Sequence, residues 1–246
     1  MTALARLDDD AANDDVAGTL ADCNHRLAQM DAATRMEWSF DALPGAHVLS
    51  SSFGAQSAVL LHMATRLRPE LPVVVVDTGY LFPETYAFID QLRERLRLNL
   101  VIAQADQSPA WMEARHGKLW EHGIEGLSRY NQLRKLAPMT AALDRLGIGT
   151  WIAGPRRSQS ASRQALPFLQ HRDGRYKLHP IADWTDRDIG RYLQQHDLPY
   201  HPLWERGYVS VGDIHTTRPL GDGMTQEETR FFGLKRECGL HEGWSI

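Results

Sequence analysis

The stretch 72-PVVVVDTGYLFPET-85 decides the fold. Four consecutive valines make an unbroken β-branched run with no polar alternation. A strand of that kind is covered on both faces, as in the middle of a parallel sheet. The run ends on Asp77, then Thr-Gly, a turn signal. Pro83 follows at a place that suits the first turn of a helix reaching to about Arg97. Strand, turn and helix in so few residues form half of a βαβ unit.

The same grammar extends in both directions. Upstream, AHVLS (46–50) reads as a short buried strand, and Ser57 to Arg68 as a helix carrying Val59, Leu60 and Met63 inward. Downstream, NLVIA (99–103) is a third strand and TWIAG (150–154) a fourth, separated by polar and aromatic helices from about Ser108 to Arg145. This spacing predicts an α/β fold with a doubly wound, mostly parallel sheet. From about Val16 to Ala42 apolar residues recur at three- and four-residue steps, an N-terminal helical extension. After Arg163 the pattern loosens. FLQHRDGRYKLHP reads as a hairpin turning at Asp173-Gly174, followed by a helix capped by Thr185 or Asp186 and an irregular Gly- and His-rich tail. The expected organisation is a disordered acidic tail over 1–15, an α/β nucleotide-binding domain with its N-terminal helices over 16–207, and a mobile C-terminal segment over 208–246.

Composition narrows the function. Hydrophobic residues make up 43% and charged residues 24% of 246, ordinary for a globular enzyme. No apolar run is long enough to span a bilayer, and the N-terminus lacks the basic and apolar regions of a signal peptide, so a cytoplasmic location is expected. A formal net charge of −4 argues against general nucleic-acid binding. Two cysteines, Cys23 and Cys238, cannot build a disulfide framework or a four-cysteine metal site. His179, His201 and His215 lack zincin spacing, and no metal is expected. The tryptophans at 111, 120, 151, 184 and 204 fit core or interface.

In doubly wound sheets ligands sit at the carboxyl ends of strands, so three loops stand out. SSSFGAQS (50–57) joins a strand to a helix with Ser50, Ser51, Ser52, Gly54 and Ser57. It reads equally as an anion cradle at a helix N-terminus and as a tight turn; it lacks the Gly-Lys-Ser/Thr ending of a Walker loop. GPRRSQSASR (154–163) places Arg156, Arg157 and Arg163 among serines, and guanidinium forks match phosphate and sulfate oxygens. Asp77 stands where an acid contacts a ribose, a base or a metal, or caps its own turn. In KRECGLHEG (235–243), Cys238 lies beside Lys235 and Arg236 and before His241. Nearby cations favour the thiolate, which is the nucleophile. Cys23, in a helical segment, reads as a small buried hydrophobe.

Taken together, SSSFGAQS, DTGYLFPETY, RRSQSASR, HPLWERGYVSVGDIHTT and KRECGLHEG resemble the thioredoxin-dependent phosphoadenylyl-sulfate (PAPS) reductases from about Asn24 to Gly243. FFGLKR and ECGLH carry the most specific likeness. The resemblance implies the adenine nucleotide α-hydrolase-like fold, with SSSFGAQS as its pyrophosphate-binding (PP) loop. It implies reduction of PAPS to sulfite and adenosine 3′,5′-bisphosphate in assimilatory sulfate reduction, through a Cys238 S-sulfonate. Reduced thioredoxin, or glutaredoxin, is the implied electron donor, and a homodimer the implied assembly. Catalytic roles fall on Cys238 and His241. Substrate contacts fall on the loop serines, Gly54, Asp77, Lys135, Arg156, Arg157, Arg163, Lys235 and Arg236. The related adenylyl-sulfate (APS) reductases hold an iron–sulfur cluster with a Cys-Cys pair and a later Cys-x-x-Cys. Those positions here are Tyr130, Asn131, Asp213 and Thr216, and none supplies a thiolate. APS reduction and an ATP-using PP-loop activity are the alternatives.

Overall fold

In the computed structural model, which describes residues 13–233 and side chains from 19 onward, six strands form one sheet in the order β3-β2-β1-β4-β6-β5. They are β1 (Ala46–Ser50), β2 (Pro72–Val76), β3 (Asn99–Ala103), β4 (Ile148–Ile152), β5 (Leu169–Arg172) and β6 (Arg175–Leu178). All pairings are parallel except β5 with β6, the hairpin. Its turn residues Asp173 and Gly174 have φ of 52° and 70°, the left-handed pair that matches strand twist in a two-residue hairpin.

The eight α-helices among the described residues are α1 (Asn13–Ala28), α2 (Ala32–Ala42), α3 (Ala58–Leu67), α4 (Pro83–Leu96), α5 (Pro109–His116), α6 (Gly123–Asn131), α7 (Ala137–Arg145) and α8 (Asp186–Gln195). The N-terminal helical pattern is thus two helices, because the Asp31 carboxylate accepts the Thr34 N–H at 2.8 Å and starts a new one. The first begins at Asn13, inside the stretch expected as a tail; residues 1–12 lie outside the described region. Thr185, not Asp186, caps α8, with Asp188 completing a reciprocal cap.

Because side chains alternate across each strand, neighbouring valines serve different cores. Val73 and Val75 face a large cluster with Leu49, Ile152 and Leu178, covered by α1 to α4 and α8. Val48, Val74 and Trp151 face a smaller one with Met139, Ala142 and Leu143 from α7. That two-sided burial is why the valine run carries no polar period. Cys23 is buried in the larger cluster, and burial pushes its thiol up. Trp120 and Trp151 are buried, whereas Trp111 is half exposed.

One irregularity bears on the site. Between α6 and α7 the helix widens into a π turn at Gln132–Leu136, where the Ala137 N–H reaches back to the Gln132 carbonyl. Pro138 follows. It has no N–H for the Arg134 carbonyl and its ring crowds that group, and a widened turn accommodates both. Arg134 and Lys135 sit in this turn, and both are buried.

Candidate active site

The chain runs from β1 to β2 and β3 on one side, then crosses to β4 on the other side of β1. The carboxyl ends of β1 and β4 therefore splay apart at the switch point, where such sheets bind ligands. A cleft of about 270 Å³ opens there. Its lining includes Ser50, Ser51, Ser52, Gly54, Gln56 and Ser57 from the loop after β1, and Gly154, Pro155, Arg156, Gln159 and Arg163 from the loop after β4. Thr78 enters from the end of β2, Lys135 from the π turn, and residues 209–213 with Arg230 close the remaining wall.

The loop after β1 is built to leave donors free. The Ser51 N–H pairs with the Val74 carbonyl at 3.0 Å, which extends the sheet by one residue. Ser51 Oγ then accepts the Phe53 N–H at 3.1 Å. Phe53 adopts φ of 48°, an uncommon conformation for a residue with a Cβ. Its fully buried ring offsets that strain through the apolar area it removes from water. The N–H groups of Ser52, Gly54, Ala55 and Gln56 donate no hydrogen bond among the described residues. The Ser57 hydroxyl is buried and also lacks a partner there. With the amino end of α3 immediately behind, this is the arrangement an anion satisfies.

Among the described residues four cations line the cleft, Lys135, Arg156, Arg163 and Arg230, against one carboxylate, Asp213. Lys135 Nζ lies 2.5 Å from Asp213 Oδ2, and both side chains are buried. Asp213 Oδ1 also accepts the Thr78 hydroxyl at 2.5 Å. Burial alone would push the Asp213 carboxyl up; the Lys135 ammonium and these hydrogen bonds hold it below the usual carboxylate range. Arg134 braces the arrangement by donating from Nε to the Thr78 carbonyl at 3.0 Å. Arg156, 3% exposed, donates to Gln56 Oε1 at 2.6 Å and to Asp186 at 2.8 Å, which ties the two anion loops together. Arg163 donates to Gln159 Oε1. Arg230 donates to Ser210 Oγ at 3.1 Å.

An aromatic cluster packs behind Lys135. Tyr130 and Phe231 place their rings 5.5 and 5.2 Å from Nζ. His215 stacks on Trp120 with centroids 3.7 Å apart, and burial pushes its imidazole down to about 4. Tyr130 and Asp213, residues from two of the four positions singled out in the sequence, thus meet around one lysine.

The structure brings together Ser50, Ser51, Ser52, Gly54, Ser57, Lys135, Arg156 and Arg163. It does not bring in Asp77 or Arg157. Asp77 Oδ1 accepts the Gly79 N–H at 2.8 Å and the Tyr86 hydroxyl at 2.7 Å, and Oδ2 accepts from Gln104 at 2.7 Å. Its role here is the turn cap. Gly79 has φ of 78°, and a Cβ there would come within 2.5 Å of Pro109, so this turn demands glycine. Arg157 donates from Nε to the Leu166 carbonyl at 2.8 Å, and its guanidinium lies 4.5 Å from the Phe168 ring. Cys238, His241, Lys235 and Arg236 lie outside the described residues. Residues 208–233 belong to the segment expected as mobile; here Asp213 bridges to Leu81 of the α/β body, and Thr217 bridges to Arg230 within the segment itself.

Sequence reasoning missed Gln56, Thr78, Asp213 and Arg230 as cleft residues. Arg230 directly precedes FFGLKR, a stretch already singled out, so adjacency was a usable signal. Asp213 was singled out only as a position without a thiolate, and nothing local tells a buried carboxylate from a surface one.

Known proteins are similar to this chain in sequence or in fold. The profile of the phosphoadenosine phosphosulfate reductase domain matches residues 46–219. A phosphoadenosine 5′-phosphosulfate reductase of Xylella fastidiosa is 60% identical over 89% of this chain and 92% of its own length. The crystal structure of a phosphoadenylyl-sulfate (PAPS) reductase from Candida auris in a phosphate complex superposes with a TM-score of 0.71. It is 25% identical and covers 81% of this chain and 96% of that one. Candida glabrata FMN adenylyltransferase shares the fold alone, at a TM-score of 0.56 and 17% identity, covering 86% of this chain and 76% of its own.

Proposed function

This chain belongs to the phosphoadenosine phosphosulfate reductase family, and from that premise we propose that it reduces 3′-phosphoadenylyl sulfate to sulfite and adenosine 3′,5′-bisphosphate with a dithiol protein as reductant. The observation that carries this reading is the cleft at the β1/β4 switch point, where, among the described residues, one wall carries unpaired donors and four cations stand around it. A highly anionic nucleotide is the ligand such a cleft accommodates, even in a chain of net charge −4. The unpaired donors of residues 52–57 take phosphosulfate oxygens. Arg156 and Arg163 neutralise charge that builds on the leaving phosphate. The apolar lining residues Leu60, Met139 and Ile181 accept the adenosine half.

The thiolate of Cys238 attacks the sulfonyl sulfur. A sulfur–sulfur bond forms and the sulfur–oxygen bond to the phosphate breaks, with its electron pair leaving on adenosine 3′,5′-bisphosphate. A thiolate of reduced thioredoxin, or of glutaredoxin, then attacks Cys238 Sγ and expels sulfite. The second thiol of that partner resolves the mixed disulfide and restores the Cys238 thiolate, so the two electrons come from the partner's dithiol. His241 assists thiolate formation or binds the sulfonate. Covalent reach supports delivery. Arg230 lines the cleft, and Cys238 follows it by eight residues, a tether of at most about 28 Å.

The chemistry proceeds without an iron–sulfur cluster. With only two cysteines, and with Tyr130, Asn131, Asp213 and Thr216 at the ligand positions, the chain cannot offer four thiolates. A location in a reducing compartment and a homodimeric assembly complete the reading.

The test is sulfite release from PAPS with reduced thioredoxin, run beside APS. Cys238→Ser is expected to abolish turnover and Cys23→Ser to preserve it. Turnover by Cys238→Ser, or a preference for APS, would overturn the reading.

A further inference from the structure

Arg156 hangs from a short strap, residues 180–186, that has almost no ladder of its own. The strap leaves β6, turns, and reaches the first residue of α8. Yet it holds the arginine loop at several points. The Arg157 N–H donates to the Ala182 carbonyl at 2.8 Å. Arg156 Nη1 donates to the Trp184 carbonyl at 3.3 Å, and the Ser158 hydroxyl donates to the same oxygen at 3.1 Å. Asp186 pairs with the Arg156 guanidinium at 2.8 Å. Whatever fixes the strap fixes Arg156.

The fixing group comes from α2, ahead of the residues that the family profile matches. Arg35 is 1% exposed. Its Nε donates to the Leu27 carbonyl at 2.8 Å, which locks it to the N-terminal helices. Nη1 donates to the Pro180 carbonyl at 2.8 Å, and Nη1 and Nη2 grip Asp183 Oδ1 and Oδ2 at 2.7 and 2.8 Å. The guanidinium lies 3.8 Å from the Phe168 ring, the same ring that Arg157 contacts from the loop. A buried arginine gains little stability over an apolar residue of similar volume. What its rigid fork supplies is direction: donors aimed at both ends of one turn set that turn's position.

We propose that Arg35 is a positioning residue. Through Asp183 and Pro180 it clasps the 180–186 strap and so presets the anion-binding geometry of Arg156. The N-terminal extension is then part of the substrate-binding apparatus. This rests on the reading of the cleft as the PAPS site.

The experiment compares Arg35→Lys, which keeps charge but loses the fork, with Asp183→Asn, whose half-exposed position favours a folded variant. Leu92→Ala, in the core of α4, is the destabilised control. Steady-state kinetics with PAPS are measured beside amide hydrogen exchange. Both clasp variants are expected to raise KM roughly tenfold, the worth of one misplaced charge-assisted hydrogen bond, with kcat held within about twofold. Exchange should quicken only in peptides covering 155–163 and 180–186. Leu92→Ala should lower thermal stability without moving KM. An unchanged KM in folded Asp183→Asn, or an equal rise in Leu92→Ala, overturns the clasp. If the wild type fails to turn over PAPS, the substrate reading falls instead. The exchange pattern then still decides: local quickening supports the clasp, and quickening throughout the chain refutes it.

Discussion

Lys135→Met is the perturbation whose consequences the structure constrains most tightly. The ammonium lies 2.5 Å from Asp213 Oδ2, with both side chains buried. At an effective dielectric of about 20, two unit charges at that separation attract by about 7 kcal/mol. Desolvating the two ions costs several kcal/mol each, so the intact pair is close to neutral for stability. Removing one partner is different. Asp213 keeps the Thr78 hydroxyl but no cation in contact among the described residues, and the expected loss is about 3–5 kcal/mol at pH 7.5. Protonation caps that loss. Neutralising an ordinary aspartic acid at pH 7.5 costs about 5 kcal/mol, so a stranded carboxylate takes up a proton rather than pay more. In the variant the folded pKa of Asp213 is then raised above its unfolded value. The folded chain binds the extra proton, and its stability rises as pH falls, by about 1.4 kcal/mol per unit. In the wild type the Asp213 pKa is lowered, so its contribution is constant above about pH 4 and is lost only below that. Urea unfolding of the wild type, Lys135→Met, Asp213→Asn and the double variant at pH 7.5, 6.5 and 5.5 measures this. The Lys135→Met penalty should shrink on acidification, and the double variant should be more stable than Lys135→Met alone. A penalty that is equal at all three pH values, or single losses that simply add, would refute the buried-pair reasoning.

Arg156→Ala removes a cleft cation whose carboxylate partner Asp186 is 60% exposed and remains solvated. A charge-assisted hydrogen bond is worth about 1.5–3 kcal/mol, so KM for PAPS should rise roughly 10- to 150-fold with little change in thermal midpoint; an unchanged KM would remove Arg156 from the site. Acid stability depends on buried histidines. Burial pushes His179 down to about 3 and His201 down to about 4. His201 Nδ1 accepts the Leu203 N–H at 3.1 Å, which leaves Nε2 to donate to Thr85 at 3.0 Å, so only the neutral ring fits. Because the unfolded chain protonates first, stability falls as pH drops from about 6.5 towards 4, approaching about 3 kcal/mol per unit from this pair. His201→Asn should lessen the slope by about one proton, and a flat stability profile between pH 6.5 and 5 would contradict the account.

Much of the scaffold was legible because its signals are local. β1, β2 and β3 begin and end close to where their apolar runs do, the hairpin turns at Asp173-Gly174, and α4 starts at Pro83. β4 sits two residues earlier than the TWIAG run: the Ala153 N–H still reaches the Leu178 carbonyl at 3.0 Å, and Gly154 already lines the cleft. The cleft serines and Arg156 were legible as well, because strand-to-loop boundaries mark ligand sites in this topology. Asp77 was ambiguous, since an acid after a strand looks alike whether it meets a ligand or its own turn. The difference lies in Tyr86 and Gln104, which only folding brings beside it.

The sequence by itself determined the layered α/β order, the serine and arginine content of the two loops at the strand ends and, through two cysteines, the lack of thiolates for a four-thiolate cluster. Those properties follow from periodicity, turn chemistry and counting, which need no partner from elsewhere. The tertiary structure decided which cations face the cleft, that Asp213 is a buried partner of Lys135, and that α2 reaches the strap behind Arg156. These depend on pairs such as Thr78 with Asp213 and Arg35 with Asp183, separated by 135 and 148 residues. No window along the chain contains both members of such a pair, and their ionisation and reach are set only once packing has removed the water between them.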